Sequence, residues 1–117
     1  MTMNISVKRV YEPPSSSDGQ RILVDRLWPR GLTKSAAKID LWIKEIAPSN
    51  ALRNWYAHDP KKWPEFKRKY FAELEANGEV LNSFLAQIGK SEVTFLFSSK
   101  ETRLNNAFAL KEYVELH

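Results

Sequence analysis

Two short apolar blocks in this chain run straight into polar and ionisable residues. Ile22-Leu23-Val24 is followed within six residues by Asp25, Arg26 and Arg30, and Val93-Thr94-Phe95-Leu96-Phe97 is followed directly by Ser98, Ser99 and Lys100. Two buried strands lying parallel would deliver both polar sets to the carboxyl edge of one sheet, where open α/β sheets bind their ligands. Guanidiniums, an ammonium and a pair of hydroxyls suit a phosphate or carboxylate. Arg forks fix the orientation of such an anion and Lys adds a compact charge. Asp25 is the only reasonable general base of the group, and it would need a pKa raised by burial to act near neutral pH. Arg9 and Arg53 are candidates to assist in holding the anion. The competing explanation is structural, with Asp25 pairing with Arg26, Arg30 or Arg21 to tie the loop down.

The elements that must position these residues follow from periodicity and punctuation. Ile5 to Tyr11 alternates apolar and polar residues as an edge strand with one partly wet face does. Pro13-Pro14-Ser15-Ser16-Ser17-Asp18-Gly19 is a loop by composition, short enough for a crossover that the first two strands fit antiparallel as well as parallel pairing. The strand beginning at Ile22 should stop near Trp28, because Pro29 has no N–H to offer a ladder. Thr33 can cap a short helix through Lys38. Asp40 to Ile46 alternates as a strand does, although Leu41, Trp42 and Glu45 would also share a helical face; the strand is preferred.

Ser49, behind Pro48, can cap a helix to about Tyr56, and Asp59-Pro60 opens another that Asn77-Gly78 closes. In that longer helix Trp63, Phe66, Tyr70 and Leu74 form the buried stripe, and Lys61, Glu65 and Lys69 the exposed row. Glu79 to Ile88 forms the second arm of a helical hairpin, presenting Leu81, Phe84, Leu85 and Ile88 before Gly89. Leu104 to Leu116 closes the chain as a helix with Ala107, Leu110, Tyr113 and Val114 inward, and Asn105 and Asn106 in its first turn. The fold class is therefore α/β: a small three-layer domain, 1–117, with a mainly parallel sheet of three to four strands flanked by helices.

The 117 residues suffice for one core, and 43% hydrophobic with 27% charged residues is an ordinary globular balance. A net charge of +4 favours acidic partners through long-range attraction only. With no Cys, disulfides, thiolate nucleophiles and Cys-bound zinc are excluded, which fits a reducing compartment. The start lacks an apolar leader and no stretch approaches a membrane span, so the cytoplasm is the expected location and no membrane partner is expected. His58 stands alone at a helix entrance, a surface or capping residue in the ordinary case and a general acid or base in the functional one; His117 is terminal. No metal-ligand spacing, dinucleotide or triphosphate loop, or esterase elbow is present, so no metal and no cofactor is expected. Lys67, Arg68 and Lys69 beside Tyr70 and Phe71 suggest nucleic acid, but the periodicity turns Tyr70 inward and the cations outward.

Several blocks together resemble one family along almost the whole chain: Lys8-Arg9-Val10-Tyr11-Glu12, Asp18-Gly19 through Arg30-Gly31, Trp42 with Lys44-Glu45, Ala47-Pro48-Ser49, Leu52-Arg53, Phe66 to Leu74, and Ser98-Ser99-Lys100. These are similar to the YeaO-like bacterial proteins of the family called domain of unknown function 488, with Asp-Arg-Leu-Trp-Pro-Arg-Gly the most specific block. The resemblance implies a small, mainly parallel α/β domain, which makes the first strand parallel and brings Arg9 to the ligand-binding rim. The motif positions it carries over are Arg9, Asp18, Arg21, Asp25, Arg26, Trp28, Arg30, Arg53 and Lys100, with no catalytic role attached to any. A longer branch of the family carries a Cys-His pair near the start of the last helix where this chain has Asn105-Asn106, so a thiol or metal role there does not transfer. The expectation is a cytoplasmic protein that binds a small anionic ligand such as a nucleotide or sugar phosphate, with catalysis on that ligand as an added option. Arg9, Arg26, Arg30, Arg53, Ser98, Ser99 and Lys100 would bind it, with Asp25 the catalytic candidate. The alternative is a nucleic-acid- or protein-binding module without catalysis.

Overall fold

The computed structural model describes residues 4–89 and 92–116. The expectations for the first three residues, Ser91 and His117 lie outside this range. Four strands, β1 (Ile5–Arg9), β2 (Gln20–Leu23), β3 (Leu41–Trp42) and β4 (Val93–Phe97), form one sheet in the order β1-β4-β2-β3 with every neighbour parallel. Five α-helices accompany them among the described residues: α1 (Lys34–Ala37), α2 (Asn50–Tyr56), α3 (Trp63–Ala76), α4 (Gly78–Ile88) and α5 (Asn106–Leu116). The two most buried strands, β4 and β2, take the centre. Every residue of β4 is buried, and Ile22, Leu23 and Val24 are fully so.

The side-chain period of two divides the sheet into unequal layers. Ile5, Ile22, Val24, Val93, Phe95 and Phe97 face the large core, where they meet buried residues of α2 to α5. Leu23, Leu96 and Val10 face the other way, onto Ala37 of α1 and Ile39. Polar neighbours share that second face, and the chain from Tyr11 to Asp18 covers them. Lys8 Nζ donates to Pro13 O at 2.8 Å and reaches Asp18 at 3.2 Å, while Thr94 Oγ1 donates to Asp18 O at 2.7 Å. This loop resolves the direction of the first two strands. It crosses over β4, which lies between β1 and β2 and pairs in parallel with each, and the crossover holds no α-helix, only the 3-10 turn Ser16–Asp18.

Gly19 makes the close approach that lets β2 start beside β4. Its φ is +64°, and a Cβ there would run into the Glu92 carbonyl. Next to it, Asp18 and Arg21 form a buried ion pair at 2.6 Å, and Arg21 Nε also donates to Ala37 O at 3.0 Å. Burial works against the Asp18 carboxylate, but the Ser15 N–H, the Arg21 guanidinium and the Lys8 ammonium outweigh it and hold its pKa below the ordinary value.

Several boundaries differ from the sequence expectation, each for a local reason. β2 ends at Leu23, well before Trp28, because Asp25 turns out of the ladder to bond with Ser98; only Val24 N continues the ladder, donating to Leu96 O at 3.1 Å. Residues 40–46 divide between the two readings, with Leu41–Trp42 a strand and Lys44–Ile46 a 3-10 turn. Asp59 caps a 3-10 turn, Pro60–Lys62, and the α-helix begins only at Trp63. A continuous α-helix from Pro60 would press the Pro64 ring against the carbonyl four residues back. The last helix starts at Asn106 rather than Leu104, because Glu101 takes the Arg103 and Leu104 N–H groups and Asn105 Oδ1 takes that of Phe108.

Candidate functional site

Asp25 leaves β2 at its carboxyl end one residue beyond Val24, level with Ser98 beyond β4, so both polar sets reach the same rim. There the Asp25 carboxylate is fully engaged. Oδ2 accepts from Ser98 N at 2.8 Å and Ser98 Oγ at 2.9 Å, and Oδ1 accepts from Asn106 Nδ2 at 3.0 Å. Asn106 also donates to Val24 O, so the first residue of α5 is tied to the end of β2, while the Asp25–Ser98 bonds clip the two central strand ends together. Asp25 thus does not tie the loop down through Arg26, Arg30 or Arg21: among the described residues it forms no ion pair, and Arg21 belongs to Asp18.

A cavity of about 170 Å³ opens at this rim. Of the residues expected to bind a ligand, Arg26, Arg53, Ser98 and Ser99 line it together with Asp25. Arg26 is half-buried and straps the segment ahead of α2, its Nε donating to Pro48 O at 3.2 Å and its Nη2 to Ala47 O at 3.0 Å. Arg53 is exposed on α2, its side chain held among the described residues by a 3.3 Å bond from Nη2 to Asn50 Oδ1. Three expected residues do not line the cavity. Arg9 reaches the rim at the β1 edge, where Nε donates to Ser99 O at 2.9 Å and the guanidinium lies 4.7 Å from the centre of the Tyr11 ring. Arg30 is exposed and meets that same tyrosine through its backbone, Tyr11 Oη donating to Arg30 O at 2.8 Å. Lys100 stands exposed in the loop after β4.

The remaining wall comes from apolar residues given no site role by the sequence, from His58, weighed there as a general acid or base, and from Asn105 and Asn106, expected in the first turn of the last helix. Leu27, Ala47, Pro48, Tyr56 and Phe66 supply apolar surface, and His58, Asn105 and Asn106 polar atoms. Tyr56 and Phe66 recur as buried helix residues, and periodicity explains them fully without a ligand; only the fold shows that their rings, stacked at 4.3 Å, end at a cavity. Tyr56 Oη donates to Leu104 O at 2.7 Å, and burial, followed by the Glu101 and Asp59 charges, pushes its pKa up to about 12. It therefore stays a neutral donor at any ordinary pH. His58 gains its place from backbone strain: Ala57 and His58 have φ of +46° and +56°, a conformation L-residues seldom adopt twice running. That bend swings the chain from α2 back toward the rim.

The cations of 67–69 take other partners. Lys67 pairs with Glu112 at 2.9 Å and Arg68 with Glu65 at 3.1 Å, while Lys69 lies 4.3 Å from the centre of the Trp55 ring. Among the described residues no group of His and carboxylate side chains is arranged to hold a metal, and no helix is long and apolar enough to cross a membrane.

An all-parallel sheet whose two central strands end in a clipped carboxylate beside a small, cation-flanked cavity defines a compact α/β domain of the open-sheet kind. A family model described as "DUF488-N3i: Inactive DUF488-N3 subclade" matches residues 4–117, and the chain belongs to this family. Within it the chain is YeaO-like. It is 45% identical over 113 residues to the uncharacterized protein YeaO of Escherichia coli K12, covering 96% of this chain and 97% of that protein. It is 37% identical over 108 residues to the uncharacterized protein Rv3073c of Mycobacterium tuberculosis H37Rv, covering 92% of this chain and 91% of that one. No solved structure matches it.

Proposed function

We propose that this domain binds a small anionic ligand of the phosphate or carboxylate type at the carboxyl ends of β2 and β4, and that it does so without chemistry. The observation that carries the reading is the composition of the cavity wall: two guanidiniums and an imidazole against one carboxylate, whose oxygens are already taken by Ser98 and Asn106. A carboxylate so engaged is poorly placed to accept a proton from a substrate, and its single charge is outnumbered by the two guanidiniums in the wall. The amino end of α5, marked by Asn105 and Asn106 in the wall, adds the favourable end of a helix dipole. Membership of a subclade described as inactive fits the absence of catalysis in this reading.

Arg53 is the residue to change first, because its single long hydrogen bond gives it little part in the fold. Inorganic phosphate, acetate and a sugar phosphate should be screened by thermal shift on the wild-type protein and on Arg53→Ala. At least one of them should raise the melting temperature of the wild type, by an increment equivalent to about 2.7 kcal/mol at a hundredfold excess over Kd, and Arg53→Ala should lose most of that increment. An unchanged response in Arg53→Ala and in Arg26→Lys would refute the site.

A further inference from the structure

We infer that the ligand of this cavity is a monocarboxylate carrying a compact apolar body, of the size and flatness of a benzoate, in preference to a nucleotide or sugar phosphate. The inference rests on the anion-binding reading above and narrows it. Three observations support the narrowing.

The first is size. At about 170 Å³ the cavity falls below the roughly 300–1,000 Å³ of pockets that take drug-sized ligands. The second is the count of polar groups with capacity to spare. Ser98 Oγ is committed to Asp25, Asn106 Nδ2 to Val24 O and Asp25, and Asn105 to Glu101 O and the Phe108 N–H. Tyr56 Oη is committed to Leu104 O. What remains for a ligand is the Arg53 fork, His58, the hydroxyl hydrogen of Ser99, whose oxygen accepts from Glu101 N, and the part of Arg26 not spent on Ala47 and Pro48. One carboxylate can be satisfied by a single guanidinium fork with one further donor. A sugar phosphate brings a dianion and several hydroxyls, and each hydroxyl buried here without a partner weakens binding.

The third observation is the apolar surface. Ala47, Pro48 and the stacked rings of Tyr56 and Phe66 border the cavity, and Leu27, 60% exposed, stands at its edge. A ligand with charge at the Arg53 end and a flat apolar body toward Tyr56 and Phe66 would meet each kind of surface with its like. Leu27 would then lose solvent exposure on binding.

Isothermal titration of the full chain with benzoate, acetate, inorganic phosphate and glucose 6-phosphate tests this. Benzoate should bind about tenfold or more tighter than acetate and than either phosphate, since each buried apolar carbon adds severalfold in affinity. Leu27→Ser, a change at an exposed position, should weaken benzoate about threefold or more and leave acetate unchanged. If a phosphate binds as tightly as benzoate or tighter, with Arg53 required, the anion site stands and the apolar-body inference is overturned. If Leu27→Ser leaves benzoate affinity unchanged, the inference is likewise overturned. Failure of all four anions to bind would remove both.

Discussion

At the scale of single residues, the same type of side chain has opposite duties at the two ends of the sheet. Asp25 at the carboxyl end is held by neutral donors, and Asp18 at the amino end of β2 by cations. Removing the first should cost the three bonds it accepts. Asp25→Ala is expected to lower unfolding free energy by about 2–3 kcal/mol, measurable by urea titration, with a loss under 0.5 kcal/mol contradicting the clip. Asp18 gives a pH signature. Its folded pKa is depressed, so its stabilisation is present above the unfolded carboxyl value of about 3.9 and is lost as pH falls through the lower folded value. The stability gap between wild type and Asp18→Asn should accordingly shrink from pH 5 to pH 2; a constant gap would show that the ion pair does not titrate. The convergence of Asp25 with Ser98 was legible in the sequence, because each follows an apolar block by one residue. The commitment of Arg21 to Asp18 was not. One of several arginines near several aspartates carries no mark of its partner until Gly19 sets the turn between them.

At the scale of elements, what the sequence announces is local chemistry. Thr33, Ser49 and Asp59 each accept a hydrogen bond from the turn they cap, as their types and positions lead one to expect. Residues 40–46 had to be ambiguous, since a two-residue strand followed by a 3-10 turn satisfies neither period for long enough to show. The bend at Ala57-His58 was invisible for another reason: nothing in an alanine predicts a positive φ, yet Ala57 is the left-handed cap that closes α2, its N–H donating to Arg53 O at 3.0 Å. Ala57→Gly should therefore relieve strain at the end of α2, stabilising the protein by about 1 kcal/mol and raising Tm by about 4 °C. A fall in Tm on calorimetry would mean that the bend is held at no cost to the fold.

At the scale of the whole molecule, the parallel sheet is the device that makes a site possible. It sends the ends of β2 and β4 to one rim, while α2 and α5 bring Arg53 and Asn106 to meet them. Arg9, Arg30 and Lys100 reach the same rim region or its loops without entering the cavity, because sequence order fixes which rim a strand end meets but not which way a side chain turns there. Overall charge, by contrast, says little, since much of the cationic surface of α3 is spent on Glu65, Glu112 and the Trp55 ring. The most direct test is ¹⁵N NMR of the full chain titrated with benzoate and with inorganic phosphate. Saturable shifts confined to the amides of Arg26, Leu27, Arg53, His58, Ser98, Ser99 and Asn106, with the Asp18 end of the sheet unmoved, are the predicted result. Shifts spread over residues 61–69 and the rest of the basic surface, fading as salt is raised, would contradict it.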